Sequence, residues 1–263
     1  MTQPAAVEIL ASAAPAYGIT PLPSTNSCLR AAVPVLLTDG SLHGYELEVQ
    51  ERGGRPCVRE VTRGARLPAF CPMRHINADG SFCLNWEPYE SLALEATADG
   101  ATWWGAVLQF LRLQERARRL RRWPNRREWA HGDAAVHQRK ALEAAAAVSP
   151  RLFDRLFQGR VAAVRSKGCS SRGNSVRLQV HGRAMARVFV KQRRPATLRQ
   201  ACPCGQDERP LTLRRCRDHA DRLVEIIGAM QDMATAERAF WKSFEGKPCC
   251  GTINGCPLGV AGP

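Results

Sequence analysis

The sequence predicts an α+β fold in two parts: an antiparallel meander with flanking helices, followed by a smaller cysteine-rich domain. Three observations lead there. Short apolar or alternating runs separated by Gly and Asp turns fill residues 31–60. Helical periodicity follows over 99–122 and 133–148. Beyond Pro150 the composition shifts to basic residues and clustered cysteines. A chain of 263 residues accommodates one large or two smaller domains with ordinary cores. The expected division is a lead-in or first helix at 1–27, a first domain at 28–150 and a basic, cysteine-rich domain at 151–263.

Taken in order, residues 1–27 are rich in Pro, Ala and Ser and weakly periodic. Met1 to Pro23 is apolar, but it has no basic start and Pro15 interrupts it, so a cleaved signal is not expected. Val33 to Leu37 is an apolar run closed by the Thr38-Asp39-Gly40 turn. Leu42 to Val49 alternates around Tyr45, Leu47 and Val49, and Gly53-Gly54 turns the chain into Cys57 to Val61. Asp99 is the expected N-cap of a helix carrying Trp104, Val107, Leu108 and Leu111 on one face, which Trp123-Pro124-Asn125 ends. A second helix runs from Asp133 to Val148, stopped by Ser149-Pro150. Val176 to Val190 reads as a hairpin turning at His181-Gly182. Residues 217–245 form an amphipathic helix with Leu223, Ile226, Ile227, Met230, Met233 and Phe240 on its core face.

The net charge of +14 comes from 38 basic side chains, 33 of them Arg, against 24 acidic ones. It is unevenly placed: residues 151–219 carry +13, residues 1–150 only +2. That stretch interleaves few aromatics (Phe153, Phe157, Phe189), so a surface for an acidic partner is expected ahead of nucleic-acid binding. No run approaches the roughly 18 apolar residues of a membrane span, and a cytoplasmic location without a membrane partner is expected.

Eleven cysteines, including Cys169, are an odd number with no secretion signal, which favours metal or catalytic thiols over disulfides. Cys202-x-Cys204-Gly205 and Cys216-x2-His219 offer four ligands within eighteen residues. Cys216 and His219, one helical turn apart, can face the same ion, which makes structural zinc the expected cofactor. Cys249, Cys250 and Cys256 form a second site or exchange ligands with the first; free buried cysteines are the alternative.

The densest group of reactive side chains lies in Leu67 to Trp86, with His75, Asn77, an Asp79-Gly80 turn and Cys83-Leu84. A nucleophilic thiol needs solvent access and a donor for the oxyanion of acyl transfer. An Asn amide is such a donor, a turn-held loop can aim it, and Arg74 adds positive potential favouring the thiolate. The arrangement resembles ubiquitin-conjugating (E2) enzymes, whose site has a His-Pro-Asn motif, an Asp-Gly-type turn and a catalytic Cys followed by Leu. His75-Ile76-Asn77 with Gly80-Ser81-Phe82-Cys83-Leu84 is most similar to the prokaryotic branch, found in bacterial ubiquitin-like and antiphage (CBASS) operons. Ile76 stands where the motif has Pro, and Asn77 to Cys83 is two residues shorter than in most eukaryotic members. The resemblance spans 28–148, with 71–86 its specific core, and includes His131-Gly132-Asp133-Ala134-Ala135, similar to a family element that opens a helix near the active site.

The resemblance implies the ubiquitin-conjugating-enzyme fold and a transferase that carries the C-terminal glycine of a partner as a Cys83 thioester. His75 and Asn77 would stabilise the oxyanion or hold the loop. Asp133, with His131 as the alternative, would position or deprotonate the incoming amine. The implied partner is a ubiquitin-like protein or the C-terminus of a cGAS-like nucleotidyltransferase in antiphage defence. An activating enzyme would act upstream, because the chain has no Gly-rich nucleotide loop. Other readings of the same residues stay open. Cys71, His75 and Cys83 could ligate a metal, although their spacing matches no common zinc module. A thiol hydrolase would bring His131, His137 or His181 to Cys83. With an inert Cys83, the chain becomes a basic zinc-containing nucleic-acid-binding or scaffold protein.

Overall fold

The computed structural model describes residues 6–25, 27–86, 92–94, 96–125, 129–166, 175–204, 212–216 and 218–260. Cys169 and Gly205 lie outside them. The chain forms two compact units, residues 1–125 together with 246–263, and residues 126–245. This division differs from the one expected at 150, and the tail belongs with the first unit rather than with the cysteine-rich part.

In the first unit, α1 (Ala6–Ala13) and a 3-10 turn lead into β1 (Thr20–Thr25), so the expected lead-in supplies a helix and an edge strand. β2 (Cys28–Leu36), β3 (Leu42–Arg52) and β4 (Arg55–Glu60) complete an antiparallel meander in the order β1-β2-β3-β4. Gly53 and Gly54 both adopt positive φ, at 59° and 76°, which a two-residue hairpin link requires. The period of two puts Leu29, Ala31, Val33 and Val35 of β2 in the core with Tyr45, Leu47 and Val49 of β3 and Val58 of β4. α1 and α2 (Thr97–Leu120) contribute Leu10, Trp103, Trp104, Val107, Leu108 and Leu111 to the same cluster. Gly100 lets the two helices meet: a Cβ there would stand 2.9 Å from Ala13 Cβ and 3.1 Å from the Ile9 carbonyl oxygen. The Trp104 indole nitrogen donates to the Leu10 carbonyl at the end of α1 (2.9 Å).

Asp99 is not the N-cap of α2. Ala96 occupies that position, and the Asp99 carboxylate reaches back to accept its N–H at 2.7 Å, so the helix starts two residues before the expected point. Farther along, Glu115 ties the helix to the sheet. It accepts from the Tyr45 hydroxyl at 2.5 Å and pairs with His43 at 3.0 Å and Arg118 at 3.0 Å. Burial alone would raise this carboxyl. The hydrogen bonds from Tyr45 and Arg118, with the His43 ring close by, outweigh that and hold it at about 2.

The second unit contains α3 (Ala134–Val148), α4 (Pro150–Phe157), a sheet of β5 (Val161–Arg165), β6 (Ser175–Val180), β7 (Arg183–Phe189) and β8 (Arg194–Pro195), and α5 (His219–Lys242). The strands pair antiparallel in sequence order. Ser149-Pro150 ends one helix and opens the next, because Ser149 Oγ accepts from Leu152 N (3.1 Å) and proline needs no donor at a first helical position. His181 and Gly182, both at positive φ, turn the expected hairpin. Ala141, Ala144, Ala145 and Val148 of α3 share one core with Leu223, Ile226, Ile227 and Met230 of α5 and with the sheet. That packing assigns α3 to this unit and moves the boundary ahead of 150. Met233 and Phe240 lie outside the buried part of the α5 stripe. Among the described residues, no helix is long and apolar enough to cross a membrane.

Candidate functional site

β4 ends on Glu60, whose carboxylate shares the inward face with Val58 and is buried. It accepts the backbone N–H groups of Arg66 and Leu67, each at 3.1 Å, and so closes the loop leading to the site. Burial pushes this carboxyl up, against those bonds. Arg63 clasps the two arms of the segment, donating to the carbonyls of Ala69 (2.8 Å) and Ala78 (2.6 Å).

Between those arms the chain is tightly folded. Cys71 and Ile76 exchange backbone hydrogen bonds of 3.1 and 3.0 Å around the 3-10 turn Pro72–Arg74. His75 takes the left-handed conformation (φ 55°), and its N–H reaches the Pro72 carbonyl. Ile76 is 1% exposed, and its N–H makes the bond to Cys71 that a proline at this position could not. Isoleucine in place of the motif's proline is therefore used by the fold.

Asn77 to Ser81 then closes on itself, with Asn77 N donating to Ser81 O (2.8 Å) and Gly80 N to Asn77 O (3.0 Å). Asp79 Oδ1 accepts from the Ser81 N–H and hydroxyl, and Gly80 supplies the positive φ. The result is a short loop that delivers Cys83. The Cys83 N–H donates to the His75 carbonyl at 2.8 Å, while its thiol is exposed, 3.8 Å from the Asn85 carbonyl oxygen. An accessible thiol on a hydrogen-bonded backbone is suited to nucleophilic attack on an acyl group.

The predicted residues around Cys83 take different parts. His75 holds the Cys83 backbone through its carbonyl, and its ring packs on Trp123 with centroids 4.8 Å apart. The Asn77 amide donates to Ser81 Oγ at 3.0 Å, within its own loop. Arg74, expected to add positive potential favouring the thiolate, is turned inward. It is 1% exposed and donates to Gln114 Oε1 (2.7 Å), the Gln114 carbonyl (3.0 Å) and Thr252 Oγ1 (3.2 Å), while the Gln114 amide donates back to the Arg74 carbonyl. Arg74 thereby joins the site loop to α2 and to the returning tail.

His131 and Asp133 belong to the second unit. His131 Nδ1 lies 2.7 Å from Glu237, and its ring stacks on Phe240. Burial would raise the Glu237 carboxyl, but the bonds from His131 and Trp241 leave it lowered. Asp133 is exposed and makes no side-chain cap at the start of α3.

Cys202, Cys204, Cys216 and His219 come together in the second unit, with one ligand atom from each all within 4.8 Å of one another. Cys202 Sγ is 3.2 Å from His219 Nδ1, and Cys204 Sγ is 3.7 Å from Cys216 Sγ. A tetrahedron with Zn–S bonds of about 2.3 Å has edges of about 3.8 Å, so a three-Cys, one-His set of this size suits zinc. Burial pushes the Cys202 thiol up, and the crowding of Cys204 and Cys216 adds to it. A cation among these sulfurs would relieve that cost. The ion's part would be to cross-link β-sheet loop and α5, with no position left open for chemistry.

Cys249, Cys250 and Cys256 are not members of this cluster, and they belong to the first unit. Cys250 Sγ sits instead 3.1 Å from Cys71 Sγ. The shared hydrogen bond lowers Cys250 to about 5 and, with burial, raises Cys71.

Residues 21–125 match the prokaryotic E2 domain, and residues 130–258 match the cysteine-rich domain found C-terminal to that domain. The chain belongs to this family of prokaryotic E2 proteins. No curated protein and no solved structure matches it. The E2 match ends where the first unit's main segment ends, at residue 125, whereas the last part of the cysteine-rich match folds into that first unit. The family assignment supports an E2-like conjugating role.

Glu60, Arg63 and Gln114 position the site and were not singled out from sequence. Two left a signal there. Glu60 falls two residues after Val58, and Gln114 three after Leu111, so both are polar residues on faces that periodicity assigns to the core.

Proposed function

We propose that the protein is an E2-like acyl carrier that holds the C-terminal glycine of a partner as a thioester on Cys83 and passes it to an amine. The Cys83 thiolate attacks the activated carbonyl and expels its leaving group. The amine then attacks the thioester carbonyl, loses its proton and releases the Cys83 thiolate. The single observation that carries this reading is the exposed thiol of Cys83, anchored through its N–H to His75, within a segment matched by the prokaryotic E2 domain. In this reading the Asn77 amide exchanges Ser81 for the oxyanion when substrate arrives. The partner is a ubiquitin-like protein or the tail of a cGAS-like nucleotidyltransferase in antiphage defence, activated by a separate adenylating enzyme. Zinc holds the cysteine-rich unit.

The test is to incubate the protein with a partner, its activating enzyme and ATP, then run the products with and without thiol. An adduct that thiol removes, that is absent in Cys83→Ala and that becomes thiol-resistant in Cys83→Ser supports the reading. An adduct that survives in Cys83→Ala, or none with any activated C-terminal glycine donor, refutes it.

A further inference from the structure

The tail that returns to the first unit brings a second thiol to the site loop. Ile253 is buried with Cys71 and Ala117, Arg121 donates to the Gly251 carbonyl and the Asn254 side chain at 2.8 Å each, and Arg74 donates to Thr252. These contacts hold Cys250 against Cys71, 3.1 Å between sulfurs, although 179 positions separate them in sequence. A disulfide bond is about 2.05 Å long, so closure needs the sulfurs to approach by only about 1 Å.

Cys250 also lines a cavity of about 590 Å³ whose other walls include the exposed Arg63, Arg66 and Lys247 and, among the described residues, no carboxylate. A concave, cationic entrance beside a thiol pair concentrates anions. We infer that Cys71 and Cys250 form a redox-active dithiol whose oxidant is an anionic low-molecular-weight disulfide of the glutathione class, admitted through this cavity.

The exchange balances without another reagent. The Cys250 thiolate attacks one sulfur of the small disulfide, forms a mixed disulfide and expels one thiolate. Cys71 then loses its proton to solvent and attacks Cys250 Sγ, expelling the second. Two protein thiols are oxidised to a disulfide while one small disulfide is reduced to two thiols. The order follows from burial: Cys71 is 2% exposed, whereas Cys250 is only partly buried and reaches the cavity. The bond would staple the tail to the backbone that carries His75 and Ile76, because Cys71 makes the hydrogen bonds that shape that turn. The inference does not depend on thioester chemistry at Cys83.

The experiment uses the full reduced chain carrying Cys83→Ala, which removes the exposed thiol. It is exposed to oxidised glutathione or, separately, to the cationic disulfide cystamine, then alkylated and mapped by mass spectrometry. The expected product has lost two hydrogens and contains the Cys71 and Cys250 peptides joined. At low salt, glutathione disulfide should react about tenfold faster than cystamine, and added salt should close the gap. Cys71→Ser should stop at a mixed disulfide on Cys250; if that variant does not fold, the peptide map of the chain with both thiols decides alone. Separate alkylation of Cys71 and Cys250 at equilibrium with oxidised glutathione would overturn the dithiol, as would a metal equivalent lost with Cys250→Ser. Cystamine reacting as fast as glutathione disulfide would overturn the role of the cationic cavity.

Discussion

Replacing Gln114 should damage the site more than replacing the charge it holds. Arg74 is a buried guanidinium whose three acceptors are all neutral. Gln114→Leu removes its shortest bond, at 2.7 Å, and the amide that caps the Arg74 carbonyl. A hydrogen bond to a charged group is worth about 1.5–3 kcal/mol and a neutral one about 1 kcal/mol, so the loss is about 3 kcal/mol. Arg74→Met breaks three bonds but also removes the charge, returning a desolvation cost of several kcal/mol. What remains is an unsatisfied Gln114 oxygen, costing about 1–3 kcal/mol. The double variant restores an apolar pair and should cost less than the sum of the singles by about 1 kcal/mol or more. Equilibrium urea denaturation gives the global values. Alkylation of buried Cys71, located by peptide mass, reports opening of the loop itself and should speed up about a hundredfold in Gln114→Leu. Additivity within about 0.5 kcal/mol, or Arg74→Met as the costlier single variant, would refute the reasoning.

Three further outcomes follow from the same structure. Ile76→Pro removes the N–H that donates to Cys71 and should destabilise the loop by about 1–2 kcal/mol, read as a lower melting temperature and faster Cys71 alkylation; an unchanged rate would show that the bond is dispensable. Glu115 is held at about 2 against an ordinary 4.5, so its contribution of about 3 kcal/mol is complete above pH 4.5 and lost as pH falls towards 2. Denaturation between pH 5 and pH 3, compared with Glu115→Gln, should show a slope that the variant lacks. Purified protein should carry one zinc per chain, and Cys204→Ser should lose it and expose residues 175–242 to hydrogen exchange while the Trp103–Leu111 stretch of α2 stays protected; a metal content far below one per chain would remove zinc from the account.

Chain-local patterns were sufficient for much of this protein. Alternation and turn glycines define the meander, helical spacing finds α2, α3 and α5, and the short run from His75 to Cys83 carries the family resemblance because the loop's hydrogen bonds are themselves local. The four ligands Cys202, Cys204, Cys216 and His219 are equally legible because they fall within a short stretch, although Cys216 precedes α5 and does not share the expected helical turn with His219. Short or polar elements were not: β1 and β8 lack an apolar signature, and α4 is only eight residues long.

Tertiary structure alone decided the rest. Arg74 was expected to add positive potential favouring the Cys83 thiolate, and only packing turns it inward onto Gln114 and Thr252. Cys250 looked like a zinc ligand of the second domain, and only the returning tail places it on Cys71. The boundary near 126, rather than 150, likewise depends on which core α3 joins. The physical reason is common to all three. Sequence periodicity reports which face of an element is buried, whereas the partner that covers that face comes from a segment far along the chain, chosen by the fit of the assembled surfaces.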